Sequence, residues 1–278
     1  MSARASAAPR AAHHPRGLTL AFAFAAGLLL AFIVLPLANL YGAQSEASLA
    51  RVAAMAEVRS AILLSLGAAL ATTACAALLG VPLAYLLART SFPGKPVVEA
   101  IVDLPLAVPH TVVGIALLFV FGRTGIVGAP LEQWTGLKFW GTAAGVVIAM
   151  LYVSVPYAVN AARVGLEGVD ERLEKVARTL GAGRWAVFFR VTLPLGARGI
   201  LTGLALTFAR SVSEFGAVIV LTYYPMTAPV KIYDLFLQSG LGDSSAMSAL
   251  YLAITLSLFI ASRYLFRERR EPESMPAR

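Results

Sequence analysis

Six apolar runs limit what this chain can fold into. They lie at about 18–40, 60–88, 98–122, 142–162, 199–222 and 246–266. Each exceeds the roughly 20 residues a helix needs to cross a hydrocarbon core. Little is left over for a soluble surface: 14% of the 278 residues are charged, against about a quarter in a soluble domain. In lipid only helices and closed barrels satisfy every backbone polar group, and these runs are far longer than the ~10-residue strands of a barrel. The chain therefore reads as an all-α integral membrane protein, with six transmembrane helices forming one domain over 17–266. The first run outlasts a signal-peptide core of about 7–15 residues, so it reads as an uncleaved span.

Charge sets the orientation. With the amino end inside, the cytosolic segments hold 17 of the 23 Lys/Arg, and the outer segments hold five: Arg51, Arg59, Arg123, Lys138 and Lys231. By the positive-inside bias, both termini and the loop 163–198 are cytosolic. The tails 1–16 (disordered) and 267–278 then lie in the cytosol, and Trp134, Trp140, Tyr223 and Tyr224 fall at the outer interface. The net charge of +8 belongs to these loops, which argues against nucleic acid as a partner. Cys75, the single cysteine, reads as a small packing residue.

The loop 163–198 is unlike the spans. It carries Arg163, Arg172, Lys175, Arg178, Arg184, Arg190 and Arg198. Leu166, Val169, Leu173, Val176 and Leu180 recur at helical spacing, which predicts one apolar helix face. Asp170 and Glu171 suit a helix start and Gly181 a helix stop. A short segment from Arg184 to Arg190 holds Trp185, Phe188 and Phe189, and Pro194 presets the next long helix. A plain solvated loop needs no apolar stripe, glycine break and aromatic cluster, whereas a surface that receives a partner protein does.

Polar groups at bilayer depth are costly and mark function. The third span opens IVDLPLAVPHTVVG, with Asp103, Pro105, Pro109, His110 and Thr111. Two prolines four apart predict a bend, tolerated where protein covers it or a cavity adjoins it. The fifth span carries Arg210, Ser211, Ser213 and Glu214, and the fourth ends with Ser154, Pro156 and Asn160. Counting 1.5 Å per residue along straight helices puts His110 and Arg210 near the middle of the membrane. A transport pathway needs polar walls there, so His110, Thr111, Arg210, Ser211, Ser213 and Glu214 are its candidate lining. Structural roles, a self-neutralising Arg210–Glu214 pair and a packed His110, stay open beside that reading. No phosphate-binding glycine loop is present, so ATP should not bind this chain. No Cys/His cluster suggests a metal, and no catalytic constellation stands out.

The loop resembles the cytosolic signature loop of ABC-importer permeases. That pattern is Glu-Ala-Ala, three residues, Gly, about nine residues, then a hydrophobic-x-Leu-Pro. Here it reads Lys175-Val176-Ala177, then Gly181, then Val191-Thr192-Leu193-Pro194, with Glu174 one residue before the usual acid position. Further segments, GVPLAYLLARTSFPGK at 80–95, DLPLAVPHTVVGIALLFVFG at 103–122, ARSVSEFGAVIVLTYYPMTAP at 209–229 and IYDLFLQSGL at 232–241, look like the molybdate/tungstate permeases and their sulfate-type relatives. The resemblance implies a type I ABC importer permease fold in the inner (cytoplasmic) membrane. It implies a homodimer, two ABC ATPase subunits that carry the ATP and magnesium, and an external substrate-binding protein that delivers a tetrahedral oxyanion. Glu174, Lys175, Val176, Ala177, Gly181, Arg184, Leu193 and Pro194 would then form the ATPase-coupling loop. A sulfate or thiosulfate permease of the same family, an ion-coupled secondary transporter and a membrane-anchored scaffold are the alternatives.

Overall fold

The computed structural model describes residues 16–265, so the tails read from the sequence lie outside the described residues except for Arg16, which opens the first helix. Two compact units divide at Ser45. The first contains the helix α1 (Arg16–Gly42). Leu20, Phe22, Phe24, Leu28 and Phe32 are exposed along it, the all-round apolar surface of a helix made for lipid.

The second unit contains α2 (Glu46–Ala54), α3 (Ala56–Arg89), α4 (Lys95–Ala107), α5 (His110–Phe121), α6 (Gly128–Thr135) and α7 (Ala143–Glu167). There follow α8 (Glu171–Thr179), α9 (Arg184–Val187), a π-helical segment (Phe188–Thr192), α10 (Leu193–Val212), α11 (Gly216–Leu221), α12 (Ala228–Ser239) and α13 (Leu241–Leu265). Among the described residues, five helices are long and apolar enough to cross a membrane, or six if α4 and α5 together form one span.

Helix α7 is the centre, packed between α3 and α10. Its contact with α10 is made of glycines. A Cβ on Gly165 would come within 2.7 Å of the Gly199 Cα, and one on Gly203 within 3.0 Å of the Ala158 carbonyl. Small residues let two helix backbones touch where lipid supplies no hydrophobic drive. Thr207 and Ser211 continue this stripe four residues apart: Thr207 donates to the Ser154 carbonyl (3.4 Å) and Ser211 to the Ser154 hydroxyl (2.9 Å). Towards the loop, the core is Leu87, Val159, Ala162 and Leu166. At the far end it is Val113, Val146, Met150 and Val218 beside a second cluster of Val58, Met247 and Tyr251.

Two spans are interrupted, the third at the prolines that predict its bend and the fifth without such a signal. The third is broken: α4 stops at Ala107, and α5 restarts at His110 at 115° to it. Pro109 supplies the break, because it has no N–H and restricts Val108 to extended backbone, as observed (φ −89°, ψ 133°). A straight-helix depth for His110 therefore fails. The fifth run, 199–222, divides into α10, which ends at Val212, and α11, which starts at Gly216. The predicted stripe from Leu166 to Leu180 is likewise split. Helix α7 ends at Glu167, and Asp170 opens α8 by accepting the Arg172 N–H (2.8 Å). Leu166 and Val169 are buried, whereas Leu173, Val176 and Leu180 are exposed.

The far end of α3 is tied to α12 by ions. Lys231 donates to Glu57 (2.6 Å) and to Asp234 (3.1 Å), and Asp234 also accepts from Tyr223 (2.9 Å) and Gln238 (2.9 Å). Burial opposes the charge on Asp234, but the bonds from Lys231, Tyr223 and Gln238 outweigh it and hold the carboxyl below its ordinary range. Burial likewise opposes the charge on Lys231, and its bonds to Glu57 and Asp234 outweigh that and raise it. A depressed carboxyl binds fewer protons folded than unfolded, so stability falls as pH drops through the aspartate range. The lysine contribution is lost only in strong alkali. The Asp234→Asn protein should melt a few degrees lower than the parent at pH 7, and the gap should close towards pH 3. A gap that persists unchanged in melting curves at pH 3 contradicts this.

Candidate translocation pathway and docking surface

The breaks in the third and fifth spans lie against each other. Helix α5 packs on α11, and a Cβ on Gly216 would come within 2.8 Å of the His110 Cβ. Gly114 is equally close to α11, 2.9 Å from the Ala217 carbonyl by the same construction. The contact gathers three titratable side chains. Arg210 Nη2 donates to Glu214 Oε2 (2.8 Å), and Glu214 Oε1 accepts the Ala217 N–H (2.8 Å). His110 Nδ1 lies 2.8 Å from Arg210 Nη2 and 3.2 Å from Glu214 Oε2. The tautomer chooses the bond: with a proton on Nδ1 the ring donates to Glu214, and without one it accepts from Arg210. Arg210 Nη1 donates to the Ser213 hydroxyl (3.3 Å), which in turn donates to the Arg210 carbonyl.

Exposure separates the members of this cluster. The Glu214 side chain is 1% exposed, while Arg210 shows 20% and His110 35%. Ser213 and Thr111 are exposed. The carboxylate therefore sits behind and neutralises, while His110, Arg210 and Ser213 reach an open face and Thr111 is exposed one residue further along α5. Ser211 does not join them, because it belongs to the stripe facing α7. Beyond this cluster, Asn160 donates to Asp103 (2.6 Å) and Arg163 pairs with Glu99 (2.7 Å), joining α7 to α4.

The loop between α7 and α10 is a folded unit. Helix α8 is amphipathic in the reverse sense. Its buried residue is a carboxylate, Glu174, while Leu173, Val176 and Leu180 point outward at 48%, 56% and 83% exposure. Glu174 accepts from Arg89 (2.9 Å) and Thr192 (3.0 Å). Lys175 points out and pairs with Glu171 (3.3 Å), and Ala177 is half-buried. Gly181 turns the chain at φ +90°, a conformation that L side chains rarely adopt. Arg184 then opens α9, exposed beside Trp185 and Phe189, whose rings stack at 6.1 Å. In the π segment the Leu193 N–H donates to the Phe188 carbonyl. This wide turn delivers the chain through Leu193 and the exposed Pro194 into α10.

The salt bridge from Arg89 to Glu174 and the ion cluster on Lys231 were not legible in the sequence, because their partners lie far apart along the chain. Burial of Ser211 had a signal, the four-residue recurrence of Gly199, Gly203, Thr207 and Ser211.

Known proteins resemble this chain in sequence and in fold. The family model described as binding-protein-dependent transport system inner membrane component matches residues 80–271. The molybdate/tungstate transport system permease protein WtpB of Thermococcus kodakarensis is 41% identical over 246 residues, 88% of this chain and 94% of that protein. The molybdenum transport system permease protein ModB of Escherichia coli K12 is 43% identical over 198 residues, 69% of this chain and 86% of that protein. Among solved structures, a bacterial alginate ABC transporter in complex with alginate-bound periplasmic protein has a chain that superposes with TM-score 0.72 at 18% identity, covering 91% of this chain and 95% of that one. That likeness is one of fold.

Proposed function

We propose a function on the premise that this chain belongs to the family of binding-protein-dependent transport system inner membrane components: it is the membrane-spanning subunit of an ATP-driven importer of molybdate or tungstate. The observation that carries the energy-coupling half is α8. A helix that buries its carboxylate and turns Leu173, Val176 and Leu180 outward is built against another protein. The exposed cations Arg172, Arg178 and Arg184 around that face suit a cleft with acidic walls. The occupant is an ABC ATPase subunit, one on each of two copies of this chain, and it hydrolyses the ATP that this chain has no motif to bind. The excess of Lys/Arg in this loop and the tails puts the docking face in the cytosol. An external binding protein then delivers the anion to the opposite end.

The anion chemistry fits the cluster of His110, Arg210 and Glu214. A bare dianion is very costly at bilayer depth, so its route needs donors. Arg210, Ser213, Thr111 and His110 supply them, while Glu214 cancels the arginine charge 2.8 Å away. Such a wall is polar without being a deep well, so selection among molybdate, tungstate and sulfate falls to the external protein. A second copy of this chain closes the open face of the cluster. The names of the relatives supply the substrate identity.

The experiment uses membrane vesicles stripped of the ATPase. Inside-out vesicles should rebind the purified ATPase and right-side-out vesicles should not. Gly181→Asp should lose most rebinding and ATP-driven molybdate uptake, because a side chain at φ +90° strains the turn that presents α8. Rebinding from the outer side, or full uptake by Gly181→Asp, rejects the docking assignment. Uptake of neither molybdate nor tungstate by the wild-type complex rejects the substrate.

A further inference from the structure

Helix α3 runs unbroken from Ala56 to Arg89 and is held by ions at both ends. At one end Glu57 accepts from Lys231 of α12 (2.6 Å). At the other, Arg89 meets the docking loop. The Arg89 side chain is 8% exposed and that of Glu174 3%. Arg89 Nε donates to Glu174 Oε1 (2.9 Å) and Nη2 to the Val169 carbonyl (2.8 Å). Thr192, at the end of the π segment, donates to the same carboxylate oxygen (3.0 Å). One turn earlier on α3, the ring of Tyr85 meets Phe188 edge-on at 5.0 Å. Three elements thus converge on one carboxylate: the end of α3, α8 and the π segment. An exposed ion pair would contribute little. This one is desolvated, and the other cation near Glu174, Arg178, lies farther off at 3.8 Å and is half exposed, so parting Arg89 from Glu174 leaves a buried carboxylate with weak compensation.

We infer that Arg89 is a positioning residue for energy coupling, the joint that makes α8 and α3 move as one body, so that displacement of the docking helix is delivered along α3 to the ion cluster of α12. The inference rests on the docking role proposed for α8. The geometry fits that task better than plain bracing. Arg89 and Tyr85, one turn apart on α3, meet α8 and the π segment respectively, so two parts of the docking loop are tied to the last turns of one membrane-spanning helix. That helix reaches the opposite end of the fold, a distance of about 50 Å at 1.5 Å per residue.

The test uses the whole complex, with ATPase and binding protein, in proteoliposomes, and reads molybdate transported per ATP hydrolysed. Arg89→Gln should lower that ratio roughly tenfold, within the usual range of coupling between linked sites. Arg89→Lys, which keeps the charge and loses the fork, should recover part of it. In parallel, spin labels at Thr90 and Thr179, both exposed, are placed in a Cys75→Ala background. Their separation should stay fixed between nucleotide-free and ATP-bound complexes. A wild-type ratio in Arg89→Gln, or a label separation that changes with nucleotide, overturns the inference. Should Arg89→Gln fail to assemble, the labels decide. A wild-type complex that does not couple at all would defeat the docking role instead, and the two failures are thereby distinct.

Discussion

Gly199→Leu should prevent the membrane bundle from assembling. A Cβ at this position would overlap the Cα of Gly165 and lie 2.8 Å from the Ala161 carbonyl. Both are backbone, so no rotamer change relieves the clash and α10 must retreat from α7. That retreat would also part Thr207 and Ser211 from Ser154, so the loss of packing and the loss of hydrogen bonds occur together. Overpacking a tight site costs about 1–3 kcal/mol, which sets the scale for Gly199→Ala. Leucine adds three further carbons and exceeds it. Gly67→Ala is the control, because nothing lies within 4 Å of its added carbon. Detergent-solubilised protein on a sizing column and its melting temperature decide the matter. A monodisperse Gly199→Leu protein that melts with the parent would show that α7 and α10 do not pack through this contact.

The second large effect concerns Glu214. Glu214→Gln keeps an oxygen for the Ala217 N–H but leaves Arg210 with an uncancelled charge beside the open face. Removing one member of a buried ion pair costs about 3–5 kcal/mol. A dianion can supply the missing counter-charge, and the weakly polar wall then becomes a trap. ATP-driven transport should fall roughly a hundredfold, about 3 kcal/mol at 1.4 kcal/mol per decade. Meanwhile labelled molybdate should bind more tightly to the permease–ATPase complex in the absence of the binding protein. The double variant Arg210→Gln/Glu214→Gln restores neutrality and should release the trapped anion. Normal transport by Glu214→Gln would remove the pair from the pathway. Tight molybdate binding by the wild-type complex alone would instead make Arg210 a true ligand.

Local chemistry was legible in the sequence where it acts through neighbouring residues. Pro109 announced the break in the third span, Asp170 the start of α8, and Gly181 the turn after it. The spacing of Arg210 and Glu214 announced their pairing, although α10 ends at Val212 and the pair forms across the break. Helical phase was harder to carry across interruptions. The stripe from Leu166 to Leu180 keeps its spacing through Gly168, yet the chain changes direction there, so its first members face the core and its last face outward. Ser211 and Ser213 looked equivalent two residues apart, but α10 ends between them at Val212, and one packs on α7 while the other reaches the open face. Burial of Glu174 was invisible because Arg89 and Thr192, which compensate it, come from elements that only the fold brings together.

The reversed polarity of α8 has a bearing on biogenesis. With Glu174 pinned inward by Arg89 and Thr192, the helix holds its outward-facing leucines before any partner arrives. Association therefore spends little entropy on ordering the receiving surface. The same rigidity deprives an orphan copy of any way to hide Leu173, Val176, Leu180 and Trp185, which stay displayed to the aqueous phase. Surplus chains thus carry a standing mark for chaperones and proteases, and synthesis matched to that of the ATPase is the condition under which this subunit escapes them.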